Sequence, residues 1–163
     1  MRTRVPIIRA AGDGDRRAFY GGGIHTWKLK AEDTGGDLLL FEDLLDAGKA
    51  TPLHLHPDAD EALYVLDGEI LVNIDGTESR LSRGAMSLAP RGVPHAFLVL
   101  SDTARLLNIQ TPGVGDAFYL GASEPTTGDT STVDIALVQA SARANGGVEL
   151  LGPPPFAATA ART

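Results

Sequence analysis

Short runs of β-forming residues recur between about residues 24 and 110, and Gly, Pro or Asp residues separate them. Branched and aromatic residues favour strands, and strands with regular turn-separated spacing are typical of a sandwich or barrel. The pattern therefore predicts an all-β fold. The runs cover residues 24–30, 37–45, 63–66, 69–74, 86–89, 96–100 and 104–110.

Two of the separators have the sequence of a tight hairpin turn. Asp67-Gly68 lies between the runs 63–66 and 69–74, and Asp75-Gly76 follows the second of these runs. The Asp-Gly pair is typical of the type I′ turn, in which both central residues need positive φ. These turns predict an antiparallel meander, because parallel neighbours need a crossover of about a dozen residues or more.

The pattern changes after residue 128, where apolar positions recur at helical spacing. It predicts one short C-terminal helix over about residues 131–145. Ser131 and Asp134 have the spacing of a capping box at its start, and Asn145-Gly146-Gly147 is a stop signal at its end.

The last part of the chain is interpreted as peripheral. Residues 148–151 form a brief edge strand in this interpretation. Residues 153–163 begin with three prolines, end in an alanine-rich stretch, and are predicted to be a flexible tail. We interpret residues 1–163 as a single domain whose barrel core covers about residues 24–115.

Composition limits the partners that the chain can have. The 163 residues carry a formal charge of −7, and the basic residues are scattered. Binding to nucleic acid needs a basic patch, so no such partner is expected. No apolar run is long enough for a membrane span or a signal peptide, so we expect a cytoplasmic protein with no membrane partner.

The chain has no cysteine and only four histidines, which leaves His, Asp and Glu as candidate metal ligands. His54 and His56 are two residues apart in an extended segment, so both imidazoles lie on one face. Glu61 follows across a turn, and His95 comes from a separate hairpin. Three nitrogens and one carboxylate suit a divalent transition metal (Fe, Mn, Co, Ni, Cu or Zn) better than Ca or Mg.

The spacing of these residues resembles the two sequence signatures of the cupin superfamily. The first signature is Gly48, five residues, His54-x-His56, four residues, Glu61, six residues and Gly68. The second is Gly84, five residues, Pro90-x-Gly92, two residues and His95. The chain departs from the family at Val99, where the second signature often has an Asn that is not a metal ligand.

Beyond the signatures, the chain is similar to small single-domain bacterial cupins described as quercetin dioxygenase-like. The similarity includes residues 90–97, the Thr111-Pro112-Gly113 segment and the C-terminal helix that leads into residues 150–154. The resemblance implies an antiparallel double-stranded β-helix, or jelly-roll barrel. It also implies one divalent transition-metal ion with open coordination positions, held by His54, His56, Glu61 and His95.

The resemblance implies a dioxygenase that acts on a small aromatic or enolic compound. A substrate hydroxyl would bind the ion, and Glu61 would be both ligand and general base for its proton. The same ligand set also suits a redox-neutral isomerase, decarboxylase, cyclase or hydrolase, or a ligand-binding protein without turnover. A homodimer is expected from the resemblance, with residues 24–30 or the tail as its contact.

Strand parity predicts which side chains lie near the ligand group. Phe97 and Val99 share a face with His95, and Pro52 shares a face with His54, which predicts an apolar neighbourhood. Asn108 and Gln110 also share a face. That face points either inward, where both side chains could hydrogen-bond a ligand or a substrate, or to solvent.

The remaining aromatic residues and the fourth histidine have less specific signals. Trp27, Phe41 and Tyr64 could stack on an aromatic substrate, but core packing is the preferred interpretation. His25 belongs to neither signature. We interpret it as a surface or satisfied histidine without a functional role.

Overall fold

The computed structural model describes residues 5–128 and 133–157. These residues form twelve strands and three helices. In chain order the elements are β1 (Asp15–Ala18), β2 (Ile24–Leu29), α1 (Ala31–Thr34), β3 (Leu39–Asp46), β4 (Leu53–Leu55), β5 (Asp60–Asp67), β6 (Glu69–Ile74), β7 (Thr77–Ser82), β8 (Met86–Ala89), β9 (His95–Val99), β10 (Thr103–Thr111), α2 (Asp116–Gly121), β11 (Glu124–Pro125), α3 (Ile135–Asn145) and β12 (Glu149–Gly152).

The strands form two antiparallel sheets, which confirms the predicted jelly-roll barrel. The larger sheet has the order β11-β1-β2-β3-β10-β5-β8, and the smaller has the order β12-β4-β9-β6-β7. Their inner faces pack on each other in a shared apolar cluster, which we call the apolar end of the interior. It consists of Leu45, Leu63, Val65, Ile70, Val72, Phe97, Val99, Ala104 and Leu106.

Alternation along β3 and β10 explains how the larger sheet acquires a polar region on its inner face. Alternate residues of both strands are buried, as expected for strands with one face on the core. On β10 the buried series runs from Ala104 and Leu106 to Asn108 and Gln110, so it changes from apolar to polar. Asn108 and Gln110 therefore face the interior, and the solvent-facing alternative is wrong.

The two Asp-Gly turns differ in the structure. Asp75-Gly76 closes the β6–β7 hairpin with φ values of 50° and 77°, as predicted. Asp67-Gly68 does not close a hairpin, because β5 pairs with β10 and β8 while β6 pairs with β7 and β9. Gly68 carries the chain from one sheet to the other, past Thr103, whose carbonyl oxygen would lie 2.4 Å from a Cβ at position 68.

The C-terminal helix begins later than predicted. Helix α3 starts after Asp134, whose side chain accepts a hydrogen bond from the Ala136 amide at 2.9 Å. This single N-cap contact satisfies one of the free amides of the first turn. Ser131, the other member of the predicted capping box, lies outside the described residues.

The predictions for the edge strand and for the tail have different outcomes. The edge-strand prediction for residues 148–151 is confirmed, since β12 pairs with β4 at the edge of the smaller sheet. Most of the predicted flexible tail, from residue 158 onward, lies outside the described residues, so its flexibility stays a prediction.

Five elements have no counterpart in the sequence pattern: β1, β7, β11, α1 and α2. Strands β1 and β7 contain mostly polar residues and have little burial, so they lack the alternation that marks a half-buried strand. Helix α2 has only six residues, of which Phe118 and Tyr119 are buried. Across the described part of the chain, no helix has the length and apolar composition that a membrane crossing would need.

Candidate metal centre

Four predicted ligands converge between the two sheets. His54 and His95 face each other as register partners on β4 and β9 of the smaller sheet, and Glu61 comes from β5 of the larger sheet. With His56, which follows β4, they offer ligand atoms that all lie within 4.8 Å of one another. The structure therefore brings together all four residues that the spacing singled out.

Backbone carbonyl groups orient all three imidazole rings in the same way. The Nδ1 atoms of His54, His56 and His95 each lie 2.8 Å from a carbonyl oxygen, those of Pro52, Gly147 and Val93 respectively. A carbonyl oxygen can only accept, so each Nδ1 carries a hydrogen, and Nε2 is the ring atom that can offer a lone pair to an ion. This arrangement is typical of metal-binding histidines, whose other ring nitrogen is held by an outer partner.

Glu61 receives hydrogen bonds from three side chains behind it. Its Oε1 atom accepts from Asn108 Nδ2 at 2.8 Å, from Gln110 Nε2 at 3.1 Å and from the Tyr119 hydroxyl at 3.4 Å. Its Oε2 atom lies 2.9 Å from His95 Nε2. These contacts fix the carboxylate in position.

Tyr119 is the member of this network that sequence reasoning missed. It lies on α2, contacts Gln110 Nε2 at 2.6 Å through its hydroxyl, and is buried. The only signal in the sequence was a pair of aromatic residues, Phe118-Tyr119, in a short segment beyond the last core strand. That signal does not distinguish a ligand-positioning tyrosine from one that packs in a core.

Burial and mutual contact shift the pKa values of the group in different directions. Burial, with His95 and His56 nearby, lowers the pKa of His54 to about 3, so its imidazole is neutral near pH 7. Burial raises the pKa of Glu61, but His56 and His95 outweigh it and hold that pKa well below its usual value. Burial and Glu61 raise the pKa of the Tyr119 hydroxyl, so it stays protonated. The set therefore contains one carboxylate and a neutral phenol behind it.

The donor set fits a divalent transition metal. Bonds of about 2.0–2.2 Å place two neighbouring ligand atoms about 3 to 3.5 Å apart. The Glu61 oxygens lie 2.9 Å from His95 Nε2 and 3.5 Å from His56 Nε2. Buried imidazole nitrogens and one carboxylate are the ligands that these ions accept. The group of His54, His56, Glu61 and His95 could therefore hold a metal ion.

A cavity of about 560 Å³, which includes its open mouth, adjoins this group. His54 and Glu61 line one part, and Phe19, Phe41 and Phe97 supply aromatic walls. Pro52 also lines the cavity, which agrees with the predicted apolar neighbourhood, while Val99 lies in the apolar end.

The three aromatic residues considered from sequence have two different environments. Trp27 and Phe41 pack together in a second buried cluster, with ring centroids 5.6 Å apart, and Phe41 also lines the cavity. Tyr64 is 41% exposed on β5.

The fourth histidine is buried, so the surface interpretation of His25 is wrong. Its Nδ1 atom contacts Oδ1 of Asp43, its register partner on β3. Phe19 and Phe41 pack edge-on against its ring, with centroids 4.6 and 4.8 Å away. His25 and Asp43 both line the cavity.

The jelly-roll fold and the His/Glu group between its sheets define a cupin. Residues 41–110 match the family model described as the Cupin domain, so this part of the chain is a cupin domain. The quercetin 2,3-dioxygenase of Bacillus subtilis (strain 168) is 34% identical to the chain over 115 residues, which are 69% of this chain and 33% of that protein.

Two further proteins are similar to the chain, one over a shorter stretch and one at lower sequence identity. The tetracenomycin polyketide synthase protein TcmJ of Streptomyces glaucescens is 35% identical over 51 residues, 31% of this chain and 34% of that protein. The chain thus spans about a third of the length of these two curated relatives. The structure of KdgF from Halomonas sp. superposes with a TM-score of 0.61 and 21% identity, and the match covers 66% of this chain and 94% of that one.

Proposed function

We propose that the protein is a metal-dependent dioxygenase that acts on a small aromatic or enolic compound. The observation that carries the proposal is the set of three imidazoles and one carboxylate beside a cavity with phenylalanine walls. The similarity to a quercetin 2,3-dioxygenase supports the reaction class, although the match covers a third of that protein.

His54, His56, Glu61 and His95 hold one divalent ion of Fe, Mn, Ni, Co, Cu or Zn in this proposal. Bound there, such an ion supplies open coordination positions and the redox or Lewis-acid chemistry that activation of dioxygen or an enol requires. The carbonyl groups of Pro52, Gly147 and Val93 keep the Nε2 atoms directed to the common point.

Glu61 also accepts the proton of the substrate hydroxyl. A base must lie within hydrogen-bond reach of the proton that it takes, and Glu61 lines the cavity where the hydroxyl would lie. Asn108, Gln110 and Tyr119 hold Oε1, so the carboxylate keeps its position as the proton moves. Phe41 and Phe97 orient the ring of the substrate and exclude water from it.

Metal analysis followed by oxygen-electrode assays tests the proposed reaction. Protein loaded with each candidate ion in turn should, with at least one of them, consume oxygen with a flavonol or a simple enol, and Glu61→Gln should lose most of that activity. Protein that holds a stoichiometric ion but consumes no oxygen with any such compound contradicts the dioxygenase proposal. That result would favour redox-neutral use of the same site.

We also propose a homodimer and a cytoplasmic location, as the sequence predicts. Both backbone edges of β2 are paired, with β1 and β3, so residues 24–30 cannot pair with a second copy through a strand edge. Exposed apolar residues lie on the outer face of the larger sheet instead. Tyr64 and Met86 are register partners there, 41% and 54% exposed, and Leu88 is 54% exposed beside them. This face is our candidate for the dimer contact.

A further inference from the structure

A second polar cluster lines the same cavity, outside the ligand group. It consists of Lys49, which lies between β3 and β4, and of the His25–Asp43 pair on β2 and β3. Lys49 is only 3% exposed. Within the described residues, Lys49 Nζ and His25 Nε2 are buried and have no hydrogen-bond partner. Neither atom has a role in holding the metal ligands.

The position of Lys49 is fixed along its whole length. Its amide donates to Asp46 at 3.2 Å, and its carbonyl group accepts from the Val99 amide at 2.8 Å. Its side chain passes so close to Gly21 that a Cβ at position 21 would lie 2.9 Å from Lys49 Cδ. Its Nζ atom lies 5.1 Å from the ring centroid of Phe19, a wall of the cavity. The ammonium group is therefore held at the cavity by packing.

A buried ammonium group without a hydrogen-bond acceptor is costly. Burial lowers the pKa of Lys49 to about 8, against the opposing effect of Asp43 and Asp46. Asp43 is in contact with His25, and Asp46 is partly exposed. Lys49 therefore keeps donor capacity that no described side chain uses, and an acceptor oxygen placed in the cavity would use it.

We propose that Lys49 binds an anionic oxygen, a carboxylate or a phenolate, of the substrate, beside the His25–Asp43 pair. This proposal deepens the proposed function, on which it rests, by naming the substrate class. The compound has an enolic or phenolic group directed at His54 and Glu61, an apolar body between the phenylalanine walls, and an acidic oxygen at Lys49. A charge-assisted hydrogen bond to a buried ammonium group is strong enough to select for that oxygen.

Calorimetric titration of the full-chain, metal-loaded protein tests this assignment without turnover. The probes are naphthalene-2-carboxylate and 4-nitrophenolate, each compared with a neutral counterpart, naphthalene-2-carboxamide and 4-nitroanisole. The wild type should bind at least one anion more tightly than its counterpart. Lys49→Met should lose about tenfold or more of the affinity for that anion and little of the affinity for the neutral probe. Which anion loses affinity distinguishes carboxylate from phenolate.

Three controls keep the result specific. Lys28→Met removes another ammonium group, one that donates to the Asp13 carbonyl group away from the cavity, and should bind every probe as the wild type does. Lys49→Arg keeps the charge and should keep part of the preference. Equal metal content and equal circular dichroism spectra show that the Met variants are folded and loaded.

The outcomes separate this proposal from the dioxygenase proposal. A wild type that binds both anions no more tightly than their neutral counterparts overturns the assignment of Lys49. Unchanged anion affinity in Lys49→Met overturns it too, because the metal centre alone would then hold the anion. A protein that binds anions through Lys49 but never consumes oxygen keeps this assignment and loses the dioxygenase proposal.

Discussion

The same strands build two chemically opposite regions of the barrel interior. At the apolar end, β5, β9 and β10 contribute Leu63, Phe97 and Leu106. Two positions away on each strand, on the same face, these strands contribute Glu61, His95 and Asn108. We call these three residues, together with His54, His56 and Gln110, the ligand end. The apolar end stabilises the fold, which leaves the ligand end free to carry polar groups.

The ligand end is possible because most of its polar groups have partners. Among the described residues of this end, the side-chain oxygens of Asn108 and Gln110 are buried without a hydrogen-bond partner. Buried polar groups are costly when they have no partner. Glu61 takes four hydrogen-bonding contacts, and each ligand histidine has a carbonyl partner. The apolar end, which packs side chains from both sheets, supplies burial that does not depend on an ion. Substitutions at the two ends should therefore have separable effects.

The largest effect on stability is expected at the apolar end. Leu106→Ala should lower the free energy of unfolding by about 2–5 kcal/mol, because it leaves a cavity in a fully buried cluster. Urea unfolding measures the change. The folded fraction of this variant should still bind metal at full stoichiometry, and a variant that loses metal while it remains folded would break the separation of the two ends.

Removal of one metal ligand should greatly weaken metal binding and have little effect on the fold. His56→Ala should weaken metal binding by roughly a hundredfold or more and leave the barrel folded, since this fold has an apolar core that does not depend on the ion. Mass spectrometry of bound metal and a thermal melt check both statements. His25→Ala is the matched control, because His25 is the one histidine outside the ligand group and its loss should leave metal content unchanged. Full metal stoichiometry in His56→Ala would show that this ligand is wrongly assigned.

A smaller effect is expected from the residues that hold Glu61. Asn108→Ala removes the 2.8 Å hydrogen bond to Oε1 and should weaken metal binding by about 10- to 100-fold, since outer partners orient the ligands. A competition titration with a chelator measures the change. Asn145→Ala, which removes a side-chain amide that donates to Ser141 on α3, should bind metal as the wild type does. Equal affinities in the two variants would contradict a positioning role for Asn108.

The smallest effect on either end is expected from the outer face of the larger sheet. Met86→Lys should change the free energy of unfolding by no more than about 0.5 kcal/mol in the isolated subunit, since Met86 is exposed. It should shift the dimer that we propose toward the monomer in light scattering. A wild-type protein that is monomeric at every concentration would contradict the proposed dimer.

Much of the fold and of the ligand group could be predicted because the signals are local. The seven β-forming runs correspond to core strands. On β3, β5 and β10 one buried face leaves a period of two in the sequence, whereas β6 and β9 are buried on both faces and contain continuous apolar runs. The ligands follow from fixed spacing: His54 and His56 share a face, and Glu61 and His95 complete the two signatures.

The features that sequence reasoning missed depend on contacts between distant segments. Asp67-Gly68 has the sequence of a hairpin turn, yet tertiary packing sends β5 and β6 into different sheets. Tyr119 reaches Glu61 across 58 positions of the chain, and Gly147 holds His56 across 91. Lys49 becomes a buried cavity residue only when the β3–β4 connection folds over Gly21. Such long-range contacts leave no periodic pattern in the sequence.

The central claim is that one metal ion lies between His54, His56, Glu61 and His95. Diffraction data collected at the absorption edge of the ion, from crystals of metal-loaded protein, test it most directly. We expect one anomalous peak per chain, about 2.0–2.3 Å from the three Nε2 atoms and from a Glu61 oxygen. A fully loaded protein whose peak lies elsewhere, or whose histidine rings turn away from a common point, would contradict it.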